Sequence, residues 1–236
     1  MSIQLNTNTN QNIPLHYQKG KFFKPAVIFL IALYFFGFLG MHVPIMNEYM
    51  QKLTPFESFI SLTPLNLILT SAMLLYFHKD WNWQFFVYLI AAMLIGFFAE
   101  VAGVATGVIF GEYAYGATLG WKLLDVPLVI GLNWFLLSYV CSSLMFGISS
   151  NIYMRTMAAS LLMVILDLLI EPVAIKYDFW TWAGNEIPLQ NYLAWYLIGL
   201  IPCFLFYYLD FKKQNLFAVY VFAAQLIFFF LNNLFI

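Results

Sequence analysis

Residues 214–236 read QNLFAVYVFAAQLIFFFLNNLFI, which is 23 consecutive positions without a charged side chain. A helix needs about 20 residues to cross the hydrocarbon core of a bilayer, so this segment is long enough to span it. Three more uncharged windows of at least this length occur at 25–47, 126–154 and 187–209. Of the 236 residues, 63% are hydrophobic and only 9% are charged, whereas a soluble domain carries about a quarter charged residues. This composition excludes a soluble globular protein and predicts an all-α integral membrane protein.

Hydropathy predicts seven transmembrane helices and one domain. The predicted spans cover about 25–46, 59–77, 84–108, 126–150, 156–175, 188–209 and 214–235. Residues 1–22 contain little apolar surface and are predicted to be a disordered cytoplasmic tail, followed by a single polytopic membrane domain over 23–236. The first apolar run is too long for a signal-peptide core, so we expect it to be retained as the first span.

The charges differ between the two ends of this bundle. Seven spans place the termini on opposite sides, and seven of the ten Lys and Arg residues then share the side of the N-terminus. The positive-inside rule predicts a cytoplasmic N-terminus, in a cell membrane of the bacterial inner-membrane type. Nine of the eleven acids lie in or beyond the other half, which is where chemistry is expected. With a net charge of −1 and no basic run beyond Lys212–Lys213, no nucleic-acid partner is expected.

An acidic residue interrupts the third span. Glu100 shares one helical face with Gly96, Gly103 and Gly107, at offsets of 4, 3 and 7 residues. One interpretation is a small-residue stripe for helix packing, with the acid as interhelical glue. The other is a narrow groove for an extended ligand, with the acid in its wall. We favour the second, because an intramembrane carboxylate is costly and marks function by default.

A pair of acids interrupts the fifth span. Asp167 and Glu171 are four residues apart and share a face, one turn from each other. Counted along the spans, Glu171 should lie at the depth of Glu100, with Asp167 about 6 Å deeper. The structural alternative is pairing with Lys122, Lys176 or hydroxyl groups. If the three carboxyls cluster, desolvation and like-charge repulsion should keep at least one protonated near neutral pH.

Amides and aromatic residues surround these acids. Asn66 and Asn133 fall at a similar depth and could hold a water molecule. Each aromatic residue alone is typical of a membrane interface, but together they could line a pocket whose ring faces favour a cation. They are Tyr113, Tyr115, Trp134, Trp180, Trp182 and Trp195. The three histidines do not cluster and no Asp-rich magnesium motif occurs, so neither a metal nor a cofactor is expected.

A weak repeat relates the hairpins of spans 3–4 and 5–6. Residues 112–115 read EYAY and precede Pro127, whereas residues 178–182 read DFWTW and precede Pro188. In each copy a tryptophan follows the proline after seven residues. Chance aromatic richness is the alternative to duplication, and both hairpins should present similar loops to the same face.

Two long motifs carry a resemblance to a known family. Residues 100–115 read EVAGVATGVIFGEYAY and are followed by LGWKL at 119–123, while residues 167–174 read DLLIEPVA and are followed by IPLQN at 187–191. This pattern resembles the CruF-type membrane carotenoid hydratases over about residues 85–200. The resemblance implies addition of water to the terminal double bond of an acyclic carotenoid ψ-end without a cofactor. Lys122 and Asn191 lie in these two motifs and are included among the candidate substrate-binding residues.

These observations converge on acid-catalysed hydration of a carotenoid. Glu100, Asp167 and Glu171 are the candidate catalytic residues, with Asp167 or Glu100 as the proton donor and aromatic rings stabilising a carbocation. The expected partners are a carotenoid substrate, the lipid bilayer and other enzymes of the carotenoid pathway. A ψ-end cyclase or isomerase remains the nearest alternative, followed by a membrane carrier and a non-catalytic scaffold. The candidate substrate-binding residues are Gly103, Gly107, Tyr113, Tyr115, Lys122, Asn133, Trp134, Trp180, Trp182, Asn191 and Trp195.

Overall fold

A computed structural model describes residues 20–54 and 58–236. Most of the predicted tail, residues 1–19, lies outside the described residues. The described chain forms eight α-helices and four very short β-strands. The helices are α1 (Phe23–His42), α2 (Pro44–Leu53), α3 (Thr63–Tyr76), α4 (Trp83–Thr106), α5 (Val129–Met145), α6 (Ile152–Lys176), α7 (Leu189–Tyr208) and α8 (Leu216–Asn233).

The predicted membrane spans are confirmed as apolar helices. Within the described ranges, six helical segments are long and apolar enough to cross a membrane, and α5 is a shorter apolar helix of 17 residues. The second segment combines a 3-10 turn over Phe59–Leu62 with α3. Large apolar side chains of α1, among them Ile28, Phe29 and Ile31, remain at least half exposed. Such a surface is suited to lipid, so the protein is an all-α integral membrane protein.

Two span boundaries differ from the sequence prediction for local reasons. The first predicted span ran to 46, but α1 ends at His42 and Val43 is extended. Proline disfavours the helical conformation in the residue before it, so α1 does not continue through Val43. Pro44 is the first residue of α2, a helix that the hydropathy pattern does not predict. The fourth predicted span began at 126, but residues 126–127 are a strand, so α5 begins at Val129.

Four short strands cover one end of the bundle, which we call the acid end because α4 and α6 finish there. The strands β2 (Lys122–Leu123) and β3 (Val126–Pro127) form a hairpin. Its two turn residues, Leu124 and Asp125, both have positive φ, as a tight hairpin turn requires. The other two strands, β1 (Tyr113–Tyr115) and β4 (Trp180–Trp182), pair antiparallel with each other. The loops predicted to face the same side therefore hydrogen-bond directly.

The core divides into two groups of buried side chains along the bundle. The group at the acid end joins α4, α5, α6 and α7 and includes Trp134, Trp182 and Trp195. The group towards the opposite end joins Phe85 and Tyr88 of α4 to buried residues of α1, α3, α5, α7 and α8. The helices α6 and α7 make the most extensive contact, and α4 packs against α5. This arrangement holds the acids of α4 and α6 across from each other.

Candidate active site

The three intramembrane acids line one small cavity near the acid end. Glu100 lies six residues before the end of α4 and Glu171 five residues before the end of α6, about 9 Å and 8 Å along the helix axes. Asp167 lies one turn deeper on α6. All three side chains are buried, with at most 3% of their surface exposed. The clustering predicted from the sequence is therefore seen in the structure.

Glu100 accepts three hydrogen bonds from aromatic side chains. The hydroxyl groups of Tyr113 and Tyr115 donate to Oε2 at 2.5 Å and 2.8 Å. The indole Nε1 of Trp134 donates to Oε1 at 3.1 Å. Both carboxyl oxygens are thus hydrogen-bonded within the protein, which fixes the orientation of the group and leaves it poorly suited to release a proton to a substrate.

Glu171 has a similar set of three donors. The indole Nε1 atoms of Trp180 and Trp182 donate to Oε2 at 3.0 Å and 2.9 Å. The side-chain amide of Asn191 donates to Oε1 at 2.9 Å. This carboxyl is also held on both oxygens, by residues from β4 and from the first turn of α7.

Asp167 differs from the two glutamates. Its Oδ2 accepts a hydrogen bond from Asn191 Nδ2 at 3.0 Å, so this amide bridges Asp167 and Glu171. Its Oδ1 is buried and has no hydrogen-bond partner among residues 20–54 and 58–236. A buried polar atom without a partner is costly and requires an explanation. Of the three acids, Asp167 alone offers a bare oxygen to a ligand.

The paired strands explain how four aromatic donors reach two acids. Side chains alternate between the two faces of a strand, so the first and third residues of each strand point the same way. Tyr113 and Tyr115 therefore both face Glu100, whereas Ala114 between them is exposed. In β4 the same alternation turns Trp180 and Trp182 towards Glu171.

The tyrosine hydroxyls are neutral donors at physiological pH. Burial, reinforced by the negative charge of Glu100, raises the pKa of Tyr115 well above its usual value of 10. The same two causes raise the pKa of Tyr113. Both phenols therefore keep their protons and their hydrogen bonds to Glu100.

The two tryptophans of the sequence repeat meet in the centre of the site. Trp134 of α5 and Trp195 of α7 stack with ring centroids 4.3 Å apart and an interplanar angle of 12°. Gly96 makes room for the first ring, because a Cβ atom at this position would lie 2.0 Å from Trp134 Cγ. In each hairpin an acid binds two aromatic residues of its own loop, and the equivalent tryptophans stack on each other.

The acid cavity adjoins a much larger apolar groove. The cavity holds about 20 Å³, enough for a single water molecule. The groove holds about 390 Å³ and is formed chiefly by α1, α3 and α8. Both are lined by the same four residues, so one wall is common to the two spaces. The shared residues are Ile130, Asn133, Ile170 and Trp180.

The chain is similar in sequence to proteins of carotenoid biosynthesis. A family described as carotenoid biosynthesis protein matches residues 63–236, which is most of the chain. The chain belongs to the carotenoid biosynthesis protein family. Over 126 residues it is 32% identical to bisanhydrobacterioruberin hydratase of Haloarcula japonica, a match that covers 50% of this chain and 43% of the relative. The chain thus aligns with less than half of that relative's length. No solved structure matches the chain.

Most candidate site residues of this carotenoid biosynthesis protein come together in the structure. Besides the three acids, eight of the candidate substrate-binding residues line the acid cavity. They are Tyr113, Tyr115, Asn133, Trp134, Trp180, Trp182, Asn191 and Trp195.

Three candidates are placed elsewhere. A Cβ atom at Gly103 would lie 2.5 Å from the ring of Phe110, and Gly107 ends α4 with φ of 66°. Gly103 therefore leaves room for a protein side chain, and Gly107 allows the helix to end. Neither glycine lines the cavity or the groove, contrary to the ligand-groove interpretation. Lys122 donates to the backbone carbonyl of Tyr115 at 2.5 Å and supports β1 from outside the cavity.

The structure places the two candidate amides differently and adds apolar residues to the cavity wall. Asn66 lines the groove and not the acid cavity, and it accepts a hydrogen bond from Thr70 at 3.2 Å. Phe110, Ile130 and Ile170 line the cavity but were not candidates, because an apolar residue in an apolar segment gives no sequence signal. Across the described part of the chain, no three His, Cys, Asp or Glu residues are arranged to hold a metal ion.

Proposed function

We propose that this protein adds water to the terminal double bond of an acyclic carotenoid ψ-end, as a hydro-lyase that needs no cofactor. The observation that carries the proposal is the meeting of three buried acids, a water-sized cavity and an apolar groove at one wall. The name of the Haloarcula relative supports hydration as the reaction class. In this proposal the polyene lies in the groove and its end group reaches the acids past Asn133 and Trp180.

The first step is proton transfer from Asp167 to the less substituted carbon of the double bond. The alkene electron pair forms the new C–H bond, and the positive charge develops on the dimethyl carbon. Asp167 is the proposed donor because its Oδ1 has no hydrogen-bond partner in the described chain, whereas both oxygens of Glu100 accept from neighbours. A general acid of this kind typically contributes about 10²- to 10⁴-fold to the rate.

The carbocation is stabilised by groups that are already in place. Glu100 and Glu171 are held by three donors each, so their negative charge needs no rearrangement during the reaction. Trp180 lines both the cavity and the groove, so its ring provides a π system beside the end group.

The second step is capture of the cation by water. The cavity has room for one water molecule, and the amide of Asn133 lines it without a hydrogen bond within the described residues. The water oxygen forms the new C–O bond, and its excess proton returns to the Asp167 carboxylate. The sum is addition of one water molecule, with the acid regenerated and no change of redox state.

The size of the acid cavity separates this proposal from its nearest alternative. A ψ-end cyclase shares the protonation step, but it must fold the chain into a ring beside the acid. In either reaction the end group lies at the wall shared with the groove, and the space beyond this wall, about 20 Å³, admits a water molecule and not a folded chain segment. This observation supports capture by water over ring closure.

The proposal is tested by the mass and the oxygen source of the product. Cells that make lycopene or γ-carotene should, on expressing this protein, yield a tertiary alcohol heavier by one water molecule. Labelled oxygen should enter from H₂¹⁸O and not from ¹⁸O₂. A product of unchanged mass with a shifted absorption maximum would identify a cyclase, and label from dioxygen would identify an oxygenase.

A further inference from the structure

The apolar groove contains a polar cluster that the proposed reaction does not use. Tyr34 of α1, Thr70 of α3 and Gln225 of α8 are each at most 8% exposed. The hydroxyl of Tyr34 interacts with the side chains of both Thr70 and Gln225. Tyr34 and Gln225 line the groove, where Phe29 and Phe228 are among the neighbouring apolar residues. Three helices thus bring polar groups to one place inside the membrane domain.

Hydrogen bonding within this cluster is incomplete. Gln225 is 3% exposed, and its Oε1 has no hydrogen-bond partner in the described chain. Polar residues that only join helices satisfy one another, because an unpaired polar atom in an apolar environment is costly. An amide whose oxygen is unpaired in the wall of a cavity instead indicates that a ligand completes its hydrogen bonding.

We propose that the Gln225 side chain binds a hydroxyl group on the substrate, so that the groove takes an acyclic isoprenoid alcohol in preference to the corresponding hydrocarbon. This inference rests on the proposed function, because it specifies the substrate class of the same site. A hydroxyl can donate to the amide oxygen or accept from the amide nitrogen, so it suits either orientation of the side-chain amide. A ketone or ether offers no donor for Oε1.

The helix register gives the offset between Gln225 and Asp167 along the bundle. The Asn233 side chain at the end of α8 donates to the carbonyl of Leu169 in α6 at 2.7 Å, which aligns the two helices. Measured back from this hydrogen bond, Gln225 lies about 12 Å along α8 and Asp167 lies about 3 Å along α6. The difference of about 9 Å is comparable to two isoprene units.

The matched ligands for a test are nerolidol and β-farnesene. Both are acyclic sesquiterpenes with one carbon skeleton and the same terminal double bond, but nerolidol carries a hydroxyl two isoprene units from that bond. Each is titrated into the purified full-length protein in detergent, and Kd is read from quenching of tryptophan fluorescence. We expect wild type to bind nerolidol about tenfold more tightly, the ratio that one hydrogen bond supplies.

Two variants decide whether Gln225 is the cause. Gln225→Met, close in size but unable to hydrogen-bond in this way, should abolish the preference for nerolidol. Phe228→Leu, an apolar change in the same groove, should weaken the binding of both ligands and preserve the ratio of their Kd values. Equal affinities in wild type, or equal weakening of both ligands by Gln225→Met, would overturn the inference and leave Gln225 as interhelical glue.

The outcome is separable from that of the hydration assay. Asp167→Asn removes the proposed proton donor but not the polar cluster, so its preference for nerolidol should persist. A preference for nerolidol without any hydrated product, from the carotenoids of these cells or from nerolidol itself, would refute the proposed reaction and keep the hydroxyl site. Hydrated carotenoid without a preference for nerolidol would support the proposed reaction and overturn the hydroxyl site.

Discussion

The acids of this site differ in the number of hydrogen bonds that they accept. Glu100 and Glu171 each accept three, on both oxygens, whereas Asp167 accepts one, from Asn191. A carboxylate surrounded by fixed donors is suited to stabilising a nearby positive charge. An acid with a bare oxygen is suited to transferring a proton. In the proposed reaction, the different roles of the three acids thus follow from the neighbours of each residue and not from its type.

Amide substitutions should separate these roles. Asp167→Asn keeps the size of the side chain but cannot deliver a proton, so hydration should fall by about 10²- to 10⁴-fold. Glu100→Gln keeps hydrogen bonding but removes charge, so a loss of about 10²- to 10³-fold is expected. Both are measured as hydrated carotenoid per unit of membrane-inserted protein.

Glu112→Gln is the matched control for these substitutions. Its side chain is exposed and lies outside the acid cavity, so activity should stay close to that of wild type. Near-normal yields from both Asp167→Asn and Glu100→Gln would mean that the carboxyls only join helices, and the proposed reaction would fail.

Among the secondary-structure elements, the β1–β4 pair is the part that assembles the site. Each strand belongs to a different helical hairpin, and the pairing sets Tyr113 opposite Trp182 and Tyr115 opposite Trp180. The pair continues into Gly116, whose backbone N–H donates to the carbonyl of Phe179 at 2.9 Å. Because four of the six donors to the two glutamates come from this ribbon, its register affects the geometry of both acids.

Gly116→Ala should disturb the ribbon and the activity together. A Cβ atom at this position would lie 2.1 Å from the backbone oxygen of Asp178, so the chain must shift. We expect destabilisation by about 1–3 kcal/mol, as for other overpacked positions, and at least about tenfold less hydrated product. Thermal unfolding in detergent and product yield are the two measurements.

The control for this substitution is Gly147→Ala, between α5 and α6 at the opposite end. No atom lies within 4 Å of a Cβ added there, so stability and yield should hold. If Gly116→Ala matched this control in both measurements, the ribbon would not set the geometry of the site.

At the scale of the whole molecule, the basic residues are divided unequally between the two ends. Nine of the ten Lys and Arg residues fall within the described chain. Three of them lie towards the acid end, namely Lys52, Lys122 and Lys176, and six lie towards the opposite end. The positive-inside rule then orients the acid end away from the cytoplasm, which stays a prediction.

Reporter fusions test this orientation. A reporter that is active only outside the cytoplasm should work when fused after Ile236, where α8 has returned to the acid end. It should fail after Lys213, which lies at the opposite end between α7 and α8. The reverse pattern would place the acids against the cytoplasm, and expression levels of both fusions provide the control.

The sequence by itself determined the membrane class, the approximate spans and the three acids. These are local properties, because apolar length decides whether a segment can cross a bilayer and a charged residue in such a segment is evident without a structure. The sequence also singled out the two aromatic loops, because their motifs repeat. It could not order Asp167 and Glu100, since both are acids in apolar helices.

Only the tertiary structure decided how these residues are used. The partners of Glu100 lie 13, 15 and 34 residues away, and the groove is assembled from α1, α3 and α8, which are far apart in the chain. Helices that are apolar all round carry little periodic signal, because lipid and protein core are alike in polarity, so the inward face of each helix cannot be inferred locally. For the same reason the sequence allowed Gly103 to line a ligand groove, whereas in the structure the ring of Phe110 occupies the space beside it. Packing between distant segments thus left Asp167 Oδ1 and Gln225 Oε1 without hydrogen-bond partners among the described residues, and these two atoms define the chemistry proposed for this protein.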